Sequence, residues 1–246
     1  MNKIFYYELK RLIFNKIFIG LLIVNGVYAW YLLTTDIIAG IAYTAPFSAW
    51  SFGAYLGKVM PFSILTILFL LSFYYSKKQK SVETLTAQTP ISPAQFLMIR
   101  SAALLVCFLL ICILVVGLSL FFYIRFFDFH KFFDFLLPAV LILPSCFAFA
   151  VGIGWLAGRI HQAVLYLLML IAFAASFSNI GGAFDFFGAG YFGSYPLSLP
   201  VDSFGEPAFD VGAAFYAARL MYFTGGVILF MISISISGKK AVVMAE

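Results

Sequence analysis

The sequence predicts an all-α integral membrane protein with about six transmembrane helices, and three observations say so. Hydrophobic residues make up 64% of the 246-residue chain and charged ones 10%, whereas a soluble domain is about half apolar and about a quarter charged. Mean hydropathy is +1.05. The apolar residues also fall in runs long enough to cross a hydrocarbon layer of roughly 30 Å, which takes about 20 residues per helix. The whole chain, 1–246, reads as a single transmembrane domain.

Residues 1–16 form an amphipathic helix, with Phe5, Leu9, Leu12 and Ile13 on one side and Glu8, Arg11 and Asn15 on the other. Such a helix lies in the membrane surface. Lys16 falls on the apolar face but ends the helix, where its stem lets the ammonium snorkel to headgroups. The segment is too long for a signal-peptide n-region and no small-residue cleavage site follows the first apolar run, so it is read as retained.

The six spans are expected at 17–35, 59–75, 96–124, 136–157, 163–180 and 216–237. The third is the strongest: residues 101–124 carry 16 Leu, Ile, Val or Phe residues, which favours insertion by roughly 7 kcal/mol. Residues 36–57, with Trp50 and few charges, are expected to lie at the outer surface. Cys107, Cys112 and Cys146 all fall inside spans without a C-x-x-C pair, which indicates lipid-facing or packing residues rather than a disulfide or zinc framework. In the fourth span Gly154 and Gly158 make a G-x-x-x-G pair that permits close helix approach, while Pro138 and Pro144 predict bending. Asn25 and Asn179 suit helix-packing hydrogen bonds. Asp128, His130 and Asp134 in the loop 125–135 are loosely spaced and alternate with aromatics, the pattern of an interfacial belt rather than a metal site. His161, beside Arg159, reads as a boundary residue. Residues 181–215 hold seven glycines, three prolines and nine aromatics. They are too apolar for a solvated tail and too broken for a full span, and so predict re-entrant or interface-lying short helices.

Charge sets the orientation. With six spans, Lys3, Lys10, Arg11, Lys16, Lys77, Lys78, Lys80, Arg100, Arg159, Lys239 and Lys240 fall on one side, and Lys58, Arg125, Lys131 and Arg219 on the other. Eleven of fifteen basic residues make the first side the inside, with both termini cytoplasmic in a plasma or inner cell membrane. The pI near 9.0 follows from this sorting, which also favours anionic lipid. No basic patch with interleaved aromatics stands on a soluble segment, so nucleic acid is not an expected partner.

Apart from Arg100 and Arg219 near span ends, the spans contain no Asp, Glu, Lys, Arg or His. Ion-coupled carriers and proton pumps keep ionisable groups in the membrane, so the energy source is expected elsewhere. Neither H-E-x-x-H nor a buried Asp pair marks an intramembrane protease. The chain has no G-x-x-x-x-G-K-[ST] phosphate loop and is not expected to be an enzyme by itself.

The cytoplasmic segment 76–95 divides into two parts. Residues 81–88 suit a two-turn helix with Glu83 in the first turn, where the helix dipole favours a carboxylate, and Thr89-Pro90 ends it. Ser92 caps the next helix, with Pro93 at its first position and Gln95 completing a capping box. The run from Ser81 through Val82, Glu83, Thr84, Leu85 and the Thr89-Pro90-Ile91-Ser92 turn to Arg100 resembles the corresponding segment of ABC-2 type transporter permeases. There an acidic residue, a Leu, a Thr-Pro-apolar-Ser turn and an apolar start of the third helix recur. The overall plan, from the leading amphipathic helix to the long last outer loop, is similar across essentially the whole chain.

The resemblance implies that Ser81, Val82, Glu83, Thr84, Leu85 and Pro90 belong to a coupling helix docking on a separate ATPase subunit. It implies that Phe5, Leu9, Arg11 and Leu12 belong to a connecting helix beside that interface. ATP and magnesium would be bound by the ABC-type ATPase subunit and not by this chain, which would pair in the lipid bilayer with a second permease copy or a paralogue. Lysines stand before the turn where the family more often has arginines. The expected function is then export of a hydrophobic or amphipathic cargo such as an antimicrobial or cytolytic peptide, a lipid or a drug. A stand-alone secondary carrier and a non-transporting scaffold or assembly factor are the competing expectations.

Overall fold

The structure is a computed structural model that describes residues 2–76, 92–177, 182, 184–201 and 207–243, with side chains up to residue 237. Eight α-helices carry the described chain: α1 Asn2–Ile13, α2 Lys16–Leu32, α3 Ala49–Ser72, α4 Pro93–Phe127, α5 Leu136–Ile160, α6 Gln162–Phe177, α7 Ala189–Ser194 and α8 Ala213–Val243. Short helical turns extend α2 to Ile37 and α3 to Tyr75, precede α5 at Phe132–Phe135 and follow α7 at Tyr195–Ser198. An isolated bridge between Val201 and Pro207 is the extended pairing among the described residues.

Among the described residues, five stretches are long and apolar enough to cross a membrane: Lys16–Ile37, Ala49–Tyr75, Pro93–Phe127, Phe132–Ile160 and Ala213–Ser237. The chain is therefore multi-pass. The expected fifth of the six spans, α6, is 16 residues long over Gln162–Phe177 and reaches about 24 Å at 1.5 Å per residue, short of the roughly 30 Å of the hydrocarbon layer. Residues 178–180 of that expected span lie outside the described residues.

Half of the expected outer segment 36–57 is helix, most of it from Ala49 onward. Ser48 accepts a hydrogen bond from the Ser51 amide and caps α3 at Ala49, ten residues before the expected span. Trp50, in the first turn of α3, is 1% exposed. The connection before it is folded on α3 by hydroxyls: Ser51 Oγ accepts from the Ile41 amide at 3.2 Å and lies 3.1 Å from Thr44 Oγ1, which in turn accepts from Ser48. Lys58 pairs with Asp36 at 2.8 Å across the same junction.

Helix α3 is the central element, in contact with α2, α4, α5, α6 and α7. In its middle, Ser63 donates to Asn25 Oδ1 at 3.1 Å, and Asn25 Nδ2 donates to Thr66 Oγ1 and to the Leu21 carbonyl, each at 2.9 Å. Asn25 is the helix-packing residue its type suggested. All three cysteines are buried and unbridged.

The most extensive helix pair is α5 with α8. A methyl on Gly152 would strike the Gly226 backbone, and one on Gly226 the backbone of Ala148 and Phe149. The Gly154 and Gly158 pair serves α3 instead: Gly154 faces Leu68 and Leu71, and Gly158 faces the Tyr75 ring, whose hydroxyl donates to the Trp155 carbonyl at 2.9 Å.

In 181–215, α7 is seated against Gly53 and Gly57 of α3, where Phe192 and the Gly188–Ala189 backbone occupy the space a side chain would fill. Trp50 packs on Phe192, Tyr195 and Phe209. Arg219, counted from sequence among the outside charges, is 3% exposed. Its guanidinium donates to the carbonyls of Asp185 and Phe186 and lies 4.3 Å above the Phe215 ring, so backbone dipoles and an aromatic face replace water around it. Asp185 in turn accepts from the amides of Phe187 and Gly190 at the start of α7. Burial pushes the Tyr191 phenol up to about 12, and its oxygen accepts from the Gly212 amide at 2.9 Å.

Candidate functional site

Charge gathers where α1 meets the bundle. Helix α1 packs along the start of α4, and its contact face is set by Leu12, 1% exposed, with Phe5, Leu9 and Ile13 partly buried against the core. Tyr6, Tyr7, Lys3 and Lys10 are exposed on the outer face, a mixture of aromatic and basic residues suited to headgroups. Asn15 breaks the chain and caps α2 by accepting from the Ile17 amide at 3.0 Å.

Glu8 corrects the sequence reading. Its assignment to the polar face fails because it is 7% exposed. It stands only about 40° round the helix from Leu12, four residues on, and a basic partner draws it inward. Glu8 Oε1 lies 3.7 Å from Arg100 Nε of α4, and Glu8 Oε2 lies 3.6 Å from Arg11 Nη1. The Arg100 guanidinium is stacked 4.1 Å from the centre of the Phe96 ring and 4.8 Å from that of Tyr74, and Arg11 sits 5.7 Å from the same Tyr74 ring. One carboxylate between two guanidiniums leaves a net positive charge, spread over aromatic faces that tolerate cations. Removing Glu8 from such a buried setting would take a carboxylate from beside both guanidiniums.

This cluster joins the elements on both sides of residues 77–91. Tyr74 lies in the helical turn after α3 and stacks on Trp155 of α5 at 5.7 Å, while Arg100 lies two turns into α4. The capping box expected there is formed: the Gln95 amide donates to Ser92 Oγ and the Ser92 amide to Gln95 Oε1, each at 3.3 Å, with Pro93 opening the helix. At the same end Arg159 of α5 donates to Ser237 of α8.

Of the residues singled out from sequence, Phe5, Leu9, Arg11 and Leu12 come together on α1, three facing the core and Arg11 half exposed at its edge. Ser81, Val82, Glu83, Thr84, Leu85 and Pro90 lie outside the described residues. The sequence reading missed Glu8, Tyr74 and Arg100 as a unit. A signal was present: Arg100 opens the most apolar span, where a cation needs a partner, and Glu8 is the only acid in the first 35 residues.

No family model, curated protein or solved structure matches this chain. Elsewhere, His130 turns its ring to the Asp128 carbonyl at 2.9 Å, and both residues are exposed, with Asp128 closing α4 in the left-handed conformation at φ 51°.

Proposed function

We propose that this chain is the membrane-spanning permease subunit of an ATP-driven exporter of the ABC-2 type. The observation that carries the reading is the Glu8–Arg100–Arg11–Tyr74 cluster, which ties α1 to both helices that emerge into residues 77–91. Those residues are the ones whose sequence resembles a coupling helix. A push on that segment would act on the ends of α3 and α4 together, and α1 would move with α4 as one body because breaking its ion pair in a buried setting is costly. ATP, with magnesium, would be bound and hydrolysed by a separate ABC-type subunit. A second copy or a paralogue would complete the path, both termini facing the cytoplasm. The cargo would be hydrophobic or amphipathic, since the spans carry almost no charge to receive an ionic one.

The test is to purify the tagged chain in mild detergent from its native host and weigh the intact complex by mass spectrometry. A stoichiometric ATPase subunit is expected, and Glu83→Ala should lower cargo-stimulated ATP hydrolysis at least several-fold with the complex still folded. Reproducible isolation of the folded chain without an ATPase would replace this reading with a stand-alone carrier or a scaffold.

A further inference from the structure

Helix α1 turns one face to the bundle and another away from it. At 3.6 residues per turn, Lys3, Tyr6, Tyr7, Lys10 and Phe14 fall within an arc of about 100°, turned away from Leu9 and Leu12. Phe14 continues the helix, since its amide donates to the Lys10 carbonyl at 3.0 Å. Tyr6, Tyr7 and Phe14 are 60%, 69% and 72% exposed, and both lysines are exposed. Spacing alone puts Glu8 on the polar side, where its carboxylate would offset the lysines. The structure withdraws it: Glu8 is 7% exposed and held between Arg100 and Arg11. The outward arc therefore carries two cations and three rings, and no acid.

Placement and charge together point to one occupant. Only Phe14 and Asn15 separate α1 from α2, which opens a span at Lys16, and Glu8 meets Arg100 two turns into α4. Helix α1 therefore lies against the flank of the bundle beside the start of a span, and its far face points outward to the surrounding lipid. Tyrosine rings and lysine stems settle at headgroup level, where the apolar part leaves water and the polar tip keeps it. The character of the arc changes toward the span: lysines and tyrosines fill its first turns, then Phe14 and Ile17 follow, exposed at 72% and 47%. That order suits a chain passing from headgroups into hydrocarbon. Lys3 and Lys10 are seven residues apart, about 10 Å along the helix, so they meet separate headgroups. A zwitterionic headgroup carries its own cation beside its phosphate and offers them no net charge. An anionic one does, and it lies within the Debye length of about 8 Å at physiological salt.

We propose that the outward face of α1 binds anionic glycerophospholipids of the leaflet it lies on. Lys3 and Lys10 each reach a headgroup phosphate, and Tyr6 and Tyr7 lie between them at glycerol level.

For the test, the full chain bearing Tyr7→Cys is labelled there with a fluorophore, the three native cysteines being buried. It is placed in nanodiscs of phosphatidylcholine alone or of an equimolar mixture with phosphatidylglycerol. Quenching by acrylamide, which is neutral and so blind to the surface potential, reads how far the probe stands in water. Phosphatidylglycerol should lower quenching two-fold or more, and 1 M salt, where the Debye length falls to about 3 Å, should restore it. Lys3→Gln with Lys10→Gln should abolish the effect of the lipid, while Lys3→Arg with Lys10→Arg keeps it. Arg125→Gln with Lys131→Gln, an equal loss of charge on exposed residues around the far end of α4, should also keep it. Equal quenching in the two lipids overturns the inference, and so does a lipid effect that survives the loss of both lysines. A probe shielded in the detergent-solubilised complex from the native host, and unchanged by either lipid, also overturns it, because a protein partner then covers the face. The nanodiscs hold no ATPase subunit, so the lipid response is separate from the outcome of the permease reading.

Discussion

Single residues in this protein act where a polar group meets hydrocarbon. Glu8 and Arg100 have side chains 9% and 6% exposed, so neither charge can turn to water when its partner is lost. Glu8→Gln should lower the stability of the purified chain by about 2 kcal/mol or more, read as a drop in the thermal unfolding midpoint in detergent. Pairing Glu8→Gln with Arg100→Met should cost less than the sum of the two single changes, because the two side chains meet across α1 and α4. An additive double variant would show that the pair contributes nothing of its own. Asn25 belongs to the same scale. Asn25→Leu removes bonds to Thr66, Ser63 and the Leu21 carbonyl, and should cost about 0.6–1.7 kcal/mol by the same measurement. A midpoint equal to that of the unaltered chain would assign no clamp role to Asn25.

At the scale of elements, glycine positions decide which helices touch. Gly225 and Gly226 are neighbours on α8 with opposite surroundings: a methyl at 225 meets nothing within 4 Å, while one at 226 runs into the α5 backbone. Backbone cannot step aside as a side-chain tip can. Gly226→Ala should therefore force α5 and α8 apart and lower the unfolding midpoint sharply, whereas Gly225→Ala should leave it unchanged or slightly higher through better helix propensity. Equal effects at the two positions would contradict the crossing seen here. Helix α7 depends on the same device, since Gly53 and Gly57 let it lie against α3. The G-x-x-x-G pair visible in the sequence, Gly154 and Gly158, turned out to serve the α3 contact, while Gly152 made the α5–α8 crossing. Spacing alone does not say which helix a glycine faces.

For the whole molecule the open quantity is the parity of crossings. Among the described residues, five helices meet the length and apolarity of a span, and α6 is a shorter apolar sixth. A span somewhat shorter than the bilayer is accommodated by local thinning or by flanking residues reaching to the surface. With six crossings the ends share a side. Cysteines introduced one at a time as Lys3→Cys and Ala245→Cys should both be modified by a membrane-impermeant maleimide in inside-out vesicles and both be protected in right-side-out ones. The three native cysteines are buried and should stay silent in either. Modification of the two positions from opposite sides would give an odd number of crossings and remove α6 from the count.

The sequence by itself determined the class, an all-α chain with several apolar helices long enough to cross a membrane. Hydropathy is a sum over neighbours along the chain, and a run such as 101–124 is long enough to be unambiguous. The same locality made the Ser92–Gln95 capping box legible, because its donors and acceptors lie within four residues. Only the tertiary structure decided that Glu8 turns inward to Arg100, that Trp50 is packed against Phe192, Tyr195 and Phe209, and that Arg219 is enclosed by the carbonyls of Asp185 and Phe186. In each case the deciding partner lies tens of residues away. A periodicity rule reads which face of a helix is apolar, but whether a flanking charge is buried depends on what the opposite helix presents to it.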